Sequence, residues 1–248
     1  MKTILRRMTL IALAGVLASG IYSCTKVSDT KDNEGIIEVA ADGTTLFIKS
    51  SLVSSLSADL SYSEEELDIL LHMKEEEKLA MDVYTALYAK WGSQVFYKIS
   101  GAEENHMNAV ILLLQSYGEE YTQIGDPGIF SIEEFQILYT QLVNTGSESI
   151  ENAYTVGALI EEMDIKDLTV YLGIVKNENI IMVFENLLEA SCNHLRAFNR
   201  QLVALGLTYT PVYITQDEYD EIINSPNESG NLDQLHRDGE SKKRNGQG

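Results

Sequence analysis

Four stretches of helical periodicity each carry a carboxylate or an imidazole at mid-length inside an otherwise apolar face, which limits the chain to folds that bring those groups together. At helical spacing, the first reads Leu70, Met73, Glu77, Ala80, Tyr84, Leu87, Trp91. The second reads Phe96, Ile99, Glu103, His106, Val110, Leu113, Tyr117. The third reads Tyr154, Gly157, Ala158, Glu161, Ile165, Leu168, Leu172, and the fourth Phe184, Leu187, Ser191, His194, Phe198, Leu205. Antiparallel packing of such segments sets Glu77, Glu103 with His106, Glu161 and His194 at one level. An ionised carboxylate buried without a partner costs several kcal/mol, and neighbouring carboxylates repel one another. Bound cations remove both penalties. Glu103 and His106, three residues apart, share a helix face and reach one ion. Carboxylate with imidazole favours iron, manganese or zinc over calcium or magnesium.

The segment boundaries are written in capping chemistry. Ser63 with Glu66 is a capping box that opens the first helix, and Gly92 closes it. The second runs from about Gln94 to Tyr117 and ends at Gly118. Residues 118–130, with Gly118, Gly125 and Asp126-Pro127-Gly128, have no helical period and read as a loop. Ser131 with Glu134 is a second capping box, opening a short helix to about Asn144. The third long helix spans Ser149 to Val175, and the fourth Asn179 to Leu205 with Gly206 as its stop. Two short turns and one long link give an all-α fold: an antiparallel four-helix bundle with a long crossover between its second and third helices, containing the short extra helix.

The ends differ from this core. Lys2, Arg6 and Arg7 precede an apolar stretch to about Gly20, and Ile21-Tyr22-Ser23-Cys24 follows. That pattern describes a lipoprotein signal peptide over residues 1–23, with Cys24 lipidated as the first residue of an exported envelope protein. The alternative is an uncleaved anchor. With Cys24 lipidated only Cys192 remains, so no intramolecular disulfide is expected. Residues 24–62 read as a tether, with a possible strand pair between Ile36 and Ile48. The bundle domain occupies 63–215. Residues 216–248 are a polar tail, with a brief helix near Gln216 to Ile223.

The signal peptide holds three of the 18 basic residues and no acidic one, leaving 15 Lys and Arg against 38 Asp and Glu, a formal charge of −23. Such a surface repels nucleic acid and anionic lipid, so the expected partners are a metal ion and, through the lipid anchor, a membrane.

Neighbouring acids are weighed against this layer. Glu75 and Glu76 read as part of a solvated run, and Glu161 is preferred to Glu162 because the face of Glu162 is more polar. His72 and His236 receive no role.

The pattern resembles the ferritin-like superfamily, which includes ferritin and rubrerythrin and whose di-iron bundles take a Glu from two helices and Glu-x-x-His from the other two. Glu77 with Tyr84 is similar to the first helix of that layout and Glu103-Glu104-Asn105-His106 to the second. Ser191-Cys192-Asn193-His194 is similar to the fourth, with Ser in place of Glu. MKEEEKLAMDVY, EENHM, GALIEEMDIKDL and EASCNHLRAF resemble a ferritin-like bacterial domain found on secreted proteins and lipoproteins. The resemblance implies an iron or related metal centre, with oxidase or peroxidase-type chemistry or a non-enzymatic binding or structural role. Glu77, Glu103, His106, Glu161 and His194 would be ligands, with Tyr84 and Ser191 behind them. Serine is a poor substitute for a carboxylate, so one metal is held tightly and a second weakly unless Asp164 replaces the missing acid.

Overall fold

The computed structural model describes residues 37–39, 45–47, 49–57, 60–120 and 125–225. The signal-peptide and Cys24 expectations and residues 226–248 lie outside them. Two three-residue strands, β1 (Ile37–Val39) and β2 (Thr45–Phe47), pair antiparallel with Ile37 opposite Phe47. A short helix, α1 (Lys49–Ser55), follows. The long helices are α2 (Glu64–Trp91), α3 (Gln94–Ser116), α5 (Ile150–Leu172) and α6 (Glu178–Ala204), with α4 (Glu133–Gly146) in the link and α7 (Gln216–Asn224) after them. Among the described residues no helix is long and apolar enough to cross a membrane.

The chain is therefore a helical bundle of two hairpins. In the first, Gly92 adopts φ +67° and lets the chain reverse, with its N–H donating to the carbonyl of Tyr88. The second turns at 173–177, where Asn177 caps α6 by accepting from the N–H of Asn179 at 2.9 Å. Glu66 ties the hairpins together: it completes the Ser63 capping box and also accepts from the N–H groups of Lys176 and Asn177 at 2.8 and 2.9 Å. Between the hairpins α2 packs on α5 and α3 on α6, while α4 lies against α2 and α5.

The expected capping box at Ser131 does not form. Ile132 is the N-cap of α4, and Ser131 instead donates its N–H to Glu75 Oε2 at 3.1 Å. That contact, and Lys78 bonded to Asp82 and to the carbonyl of Asp126, fasten the crossover onto α2. Glu75 and Glu76 are consequently buried at 5 % and 3 % exposure, correcting their reading as a solvated run. Glu162 is also buried rather than on a polar face. It accepts from Tyr209 O–H at 2.6 Å and from the N–H groups of Val212, Tyr213 and Ile214. Through this anchor residues 209–214 close over α5. The short helix α7 then packs on α6, where Arg196 Nε donates to the carbonyl of Ile222 at 2.8 Å.

Aromatic rings fill the bundle at one end of the polar layer. Tyr84, Phe96 and Phe198 lie within 5.3–6.1 Å of each other, and Phe198 presses on Gly157 so closely that an added Cβ would sit 2.4 Å from its ring. Gly157→Ala is expected to destabilise the protein by about 1–3 kcal/mol through overpacking. Gly101→Ala, at a helix position with nothing within 4 Å, is expected to stabilise it by up to about 1 kcal/mol. Paired urea melts check the contrast, and equal shifts of one sign would contradict the packing.

Candidate metal centre

Glu77 from α2, Glu103 and His106 from α3, Glu161 from α5 and His194 from α6 meet in the interior, none more than 2 % exposed. Glu103 is central. One of its oxygens lies 2.7 Å from His106 Nδ1 and the other 3.0 Å from His194 Nδ1. His106 Nδ1 is also 3.4 Å from Glu77, and His194 Nδ1 is 3.3 Å from Glu161. The two imidazoles stack with centroids 5.4 Å apart and planes 18° from parallel. Two donor triads result, Glu77–Glu103–His106 and Glu103–Glu161–His194, each with its donor atoms within 4.8 Å of one another. Glu103 belongs to both.

These approaches are short but not aligned as hydrogen bonds. Glu77 Oε1, Glu103 Oε1 and both ring nitrogens of His106 and His194 are buried with no hydrogen-bond partner. Buried polar atoms are almost always paired, so such a set calls for an occupant. Donors aimed at shared space rather than at one another could hold cations, with Glu103 common to both triads.

The supporting residues are partnered. Tyr84 O–H donates to Glu161 Oε1 at 2.6 Å and to the carbonyl of Gly157 at 3.2 Å, leaving Glu161 Oε2 to face His194. Ser191 donates to Asp164 Oδ2 while Asp164 Oδ1, buried, has no partner. Asp164 thus stands beside Ser191 with one oxygen unspent. Cys192 is disulfide-bonded, which corrects the expectation of no such bond, and its partner falls outside the described residues.

The electrostatics follow from burial. Desolvation pushes Glu77 up to about 8 against the pull of His106, and Glu161 up to about 7, with Glu103 adding repulsion. Burial also works on Glu103, yet His194 and His106 hold its carboxyl well below the usual range. Burial opposes charge on both imidazoles, but Glu103 and then Glu77 raise His106 to about 9, and Glu103 and then Glu161 raise His194 to about 10. Asp164 rises well above the ordinary value through burial and then the charges of Glu77, Glu76 and Glu103.

A second cluster adjoins the first. His72, Glu76 and Asp167 place donor atoms within 4.8 Å of one another, and neither oxygen of Glu76 has a hydrogen-bond partner. Glu76 is raised well above its ordinary value by burial, then by Asp167 and Glu77, and Asp167 to about 6 by burial against the pull of Lys166. Desolvation lowers His72 to about 4, so its imidazole is neutral. The sequence reading missed this cluster because its covering element, α4, comes from the crossover.

The chain belongs to the family described as Uncharacterized protein domain (DUF2202), which matches residues 66–226. It is 47 % identical over 174 residues to the Uncharacterized protein MJ0754 of Methanocaldococcus jannaschii, covering 68 % of this chain and 91 % of that protein. The crystal structure of the hypothetical protein MJ0754 from Methanococcus jannaschii DSM 2661 superposes with a TM-score of 0.68 at 46 % identity. It covers 70 % of this chain and 99 % of its own.

The shifts at Glu77, Glu161, His106 and His194 all mean that the metal-free folded chain holds protons the unfolded chain has released. Their ordinary values are 4.5 for Glu and 6.5 for His. Stability from these groups is therefore present at low pH and is lost as pH rises from about 4.5 through the folded values of 7 to 10. Glu103 acts oppositely, but only below its unfolded value. Chelator-treated protein is expected to melt at a higher temperature near pH 6 than near pH 9. Thermal melts across that range check this, and a rise toward pH 9 would contradict it.

Proposed function

We propose that this protein is a cell-envelope, ferritin-like metalloprotein whose bundle holds two first-row metal ions, iron foremost with manganese or zinc as related occupants, for oxidase or peroxidase-type redox chemistry. The observation that carries the reading is Glu103: a buried carboxylate with one oxygen toward each of two histidines, in a layer whose nitrogens lack hydrogen bonds. The two hairpins joined by a long crossover support the ferritin-like arrangement.

Glu77 and His106 would hold one ion, Glu161 and His194 the other, with Glu103 spanning both. Bound iron would supply one-electron chemistry toward ferrous ion, oxygen or peroxide. Tyr84 fixes the rotamer of Glu161 and removes one of its oxygens from competition. Ser191 orients Asp164, whose free oxygen offers the carboxylate that the fourth helix lacks. The aromatic packing of Phe96 and Phe198 keeps water from that end of the layer. Because Asp164 comes from α5 rather than α6, the two positions are unequal in affinity.

A second reading, a non-enzymatic metal-binding or structural domain, is favoured by Ser191 itself, since a hydroxyl spent on Asp164 leaves the fourth helix with a single ligand. Elemental analysis and ferrous-oxidation assays separate the two. Protein purified without chelator is expected to carry about two metals per chain. Glu103→Gln is expected to lose both, Glu77→Gln one, and Tyr84→Phe to lose about 10- to 100-fold in affinity or rate. Metal without turnover leaves the binding reading, and no metal under any supply defeats both.

The envelope location rests on the amino-terminal sequence, where Cys24 follows Ser23 behind an apolar stretch. Cys24 is the only other cysteine, so its lipidation and the disulfide bond of Cys192 exclude each other, and the envelope reading takes the lipidated form. Mass spectrometry of the mature amino terminus is expected to find residue 24 first and lipid-modified. A peptide retaining residues 1–23, or Cys24 joined to Cys192, would contradict the anchor.

A further inference from the structure

The metal centre does not absorb the cluster on its flank. His72 Nδ1 lies 3.6 Å from Glu76 Oε2, and Asp167 completes a triad whose donor atoms all lie within 4.8 Å. Glu76 is 3 % exposed with both oxygens unpartnered. Lys74 is engaged with Glu75 at 3.1 Å and Lys78 with Asp82, while the exposed Lys166 pulls on Asp167. A buried carboxylate facing a neutral imidazole beyond hydrogen-bond range is not a settled core pair. His72 Nδ1 does meet Tyr171 O–H at 3.0 Å, so a cation on that nitrogen displaces this bond.

Position gives the cluster a direction. His72 and Asp167 are half-buried, whereas Glu76 is buried. Glu76 precedes Glu77 in the chain, and Asp167 lies three residues beyond Asp164 on one face of α5. Asp164 feels the charges of both Glu76 and Glu77, which places it near the two clusters alike.

We propose that His72, Glu76 and Asp167 form a third cation site, for a first-row divalent metal, that receives ions at the surface and passes them to the buried centre. Imidazole with two carboxylates selects iron, manganese, cobalt or zinc in the divalent state over calcium and magnesium. The passing role rests on the proposed two-metal centre, whereas the site itself does not.

Titrating the full chain with Co(II), followed by metal counting and visible absorption, tests both parts. The wild type is expected to bind one more Co(II) than the centre accommodates. Asp167→Asn and His72→Ala are expected to lose that one ion, keep the centre's spectrum and fill it more slowly, while Glu103→Gln keeps the third ion. Melting temperatures near the wild type confirm that the variants fold. If Asp167→Asn and His72→Ala bind as many ions as the wild type, the third site is overturned and the two-metal centre stands. If Glu103→Gln changes nothing while Asp167→Asn empties the protein, the centre falls and the third site remains. An unchanged filling rate overturns the passing role, and no bound Co(II) anywhere overturns both.

Discussion

The interior of this bundle is organised around one carboxylate that faces two histidines. Charge in a medium poor in water is tolerated only when opposite charge or a cation lies within a few ångströms. Glu103, one oxygen toward His106 and the other toward His194, supplies that for the metal-free protein. Glu77 and Glu161 lie at the outer edges of the same arrangement, and burial drives both toward the protonated form. The layer therefore has a self-consistent state that holds protons, and on the proposed reading a second that would hold metal. The surrounding packing, with Phe198 against Gly157 and Tyr84 bonded to Glu161, fixes the geometry common to both.

Much of this was legible because the information is local. The Ser63–Glu66 capping box forms as read, and Gly92 ends the first helix in the left-handed conformation. Each polar residue of the layer announced itself by interrupting an apolar stripe, and four interruptions at equal depth need no knowledge of loops. The strand pair was readable from alternation between Ile36 and Ile48, and β1 and β2 fall inside it.

What escaped the sequence depends on segments distant in the chain. Glu75 and Glu76 look solvated because a run of three acids offers no contrast of faces, yet the crossover and α4 bury them, with the Phe135 ring centred 4.9 Å from that of His72 and tilted 50° to it. Ser131 has the spacing of a helix cap but is claimed by Glu75. Glu162 sits on a face whose own residues are mixed, and its burial comes from residues 209–214. Helical periodicity reports the faces a helix prefers to bury. It does not report which polar groups a later segment will cover.

Two-metal sites built on a shared carboxylate set their ions about 3.5–4 Å apart, which makes diffraction the most direct test. Crystals grown with Mn(II) and measured at its absorption edge are expected to show two anomalous peaks, one on each oxygen side of Glu103, with His106 Nδ1 and His194 Nδ1 turned to separate ions. A layer without anomalous signal, in which those nitrogens are hydrogen-bonded to water or to Glu103, would contradict the account.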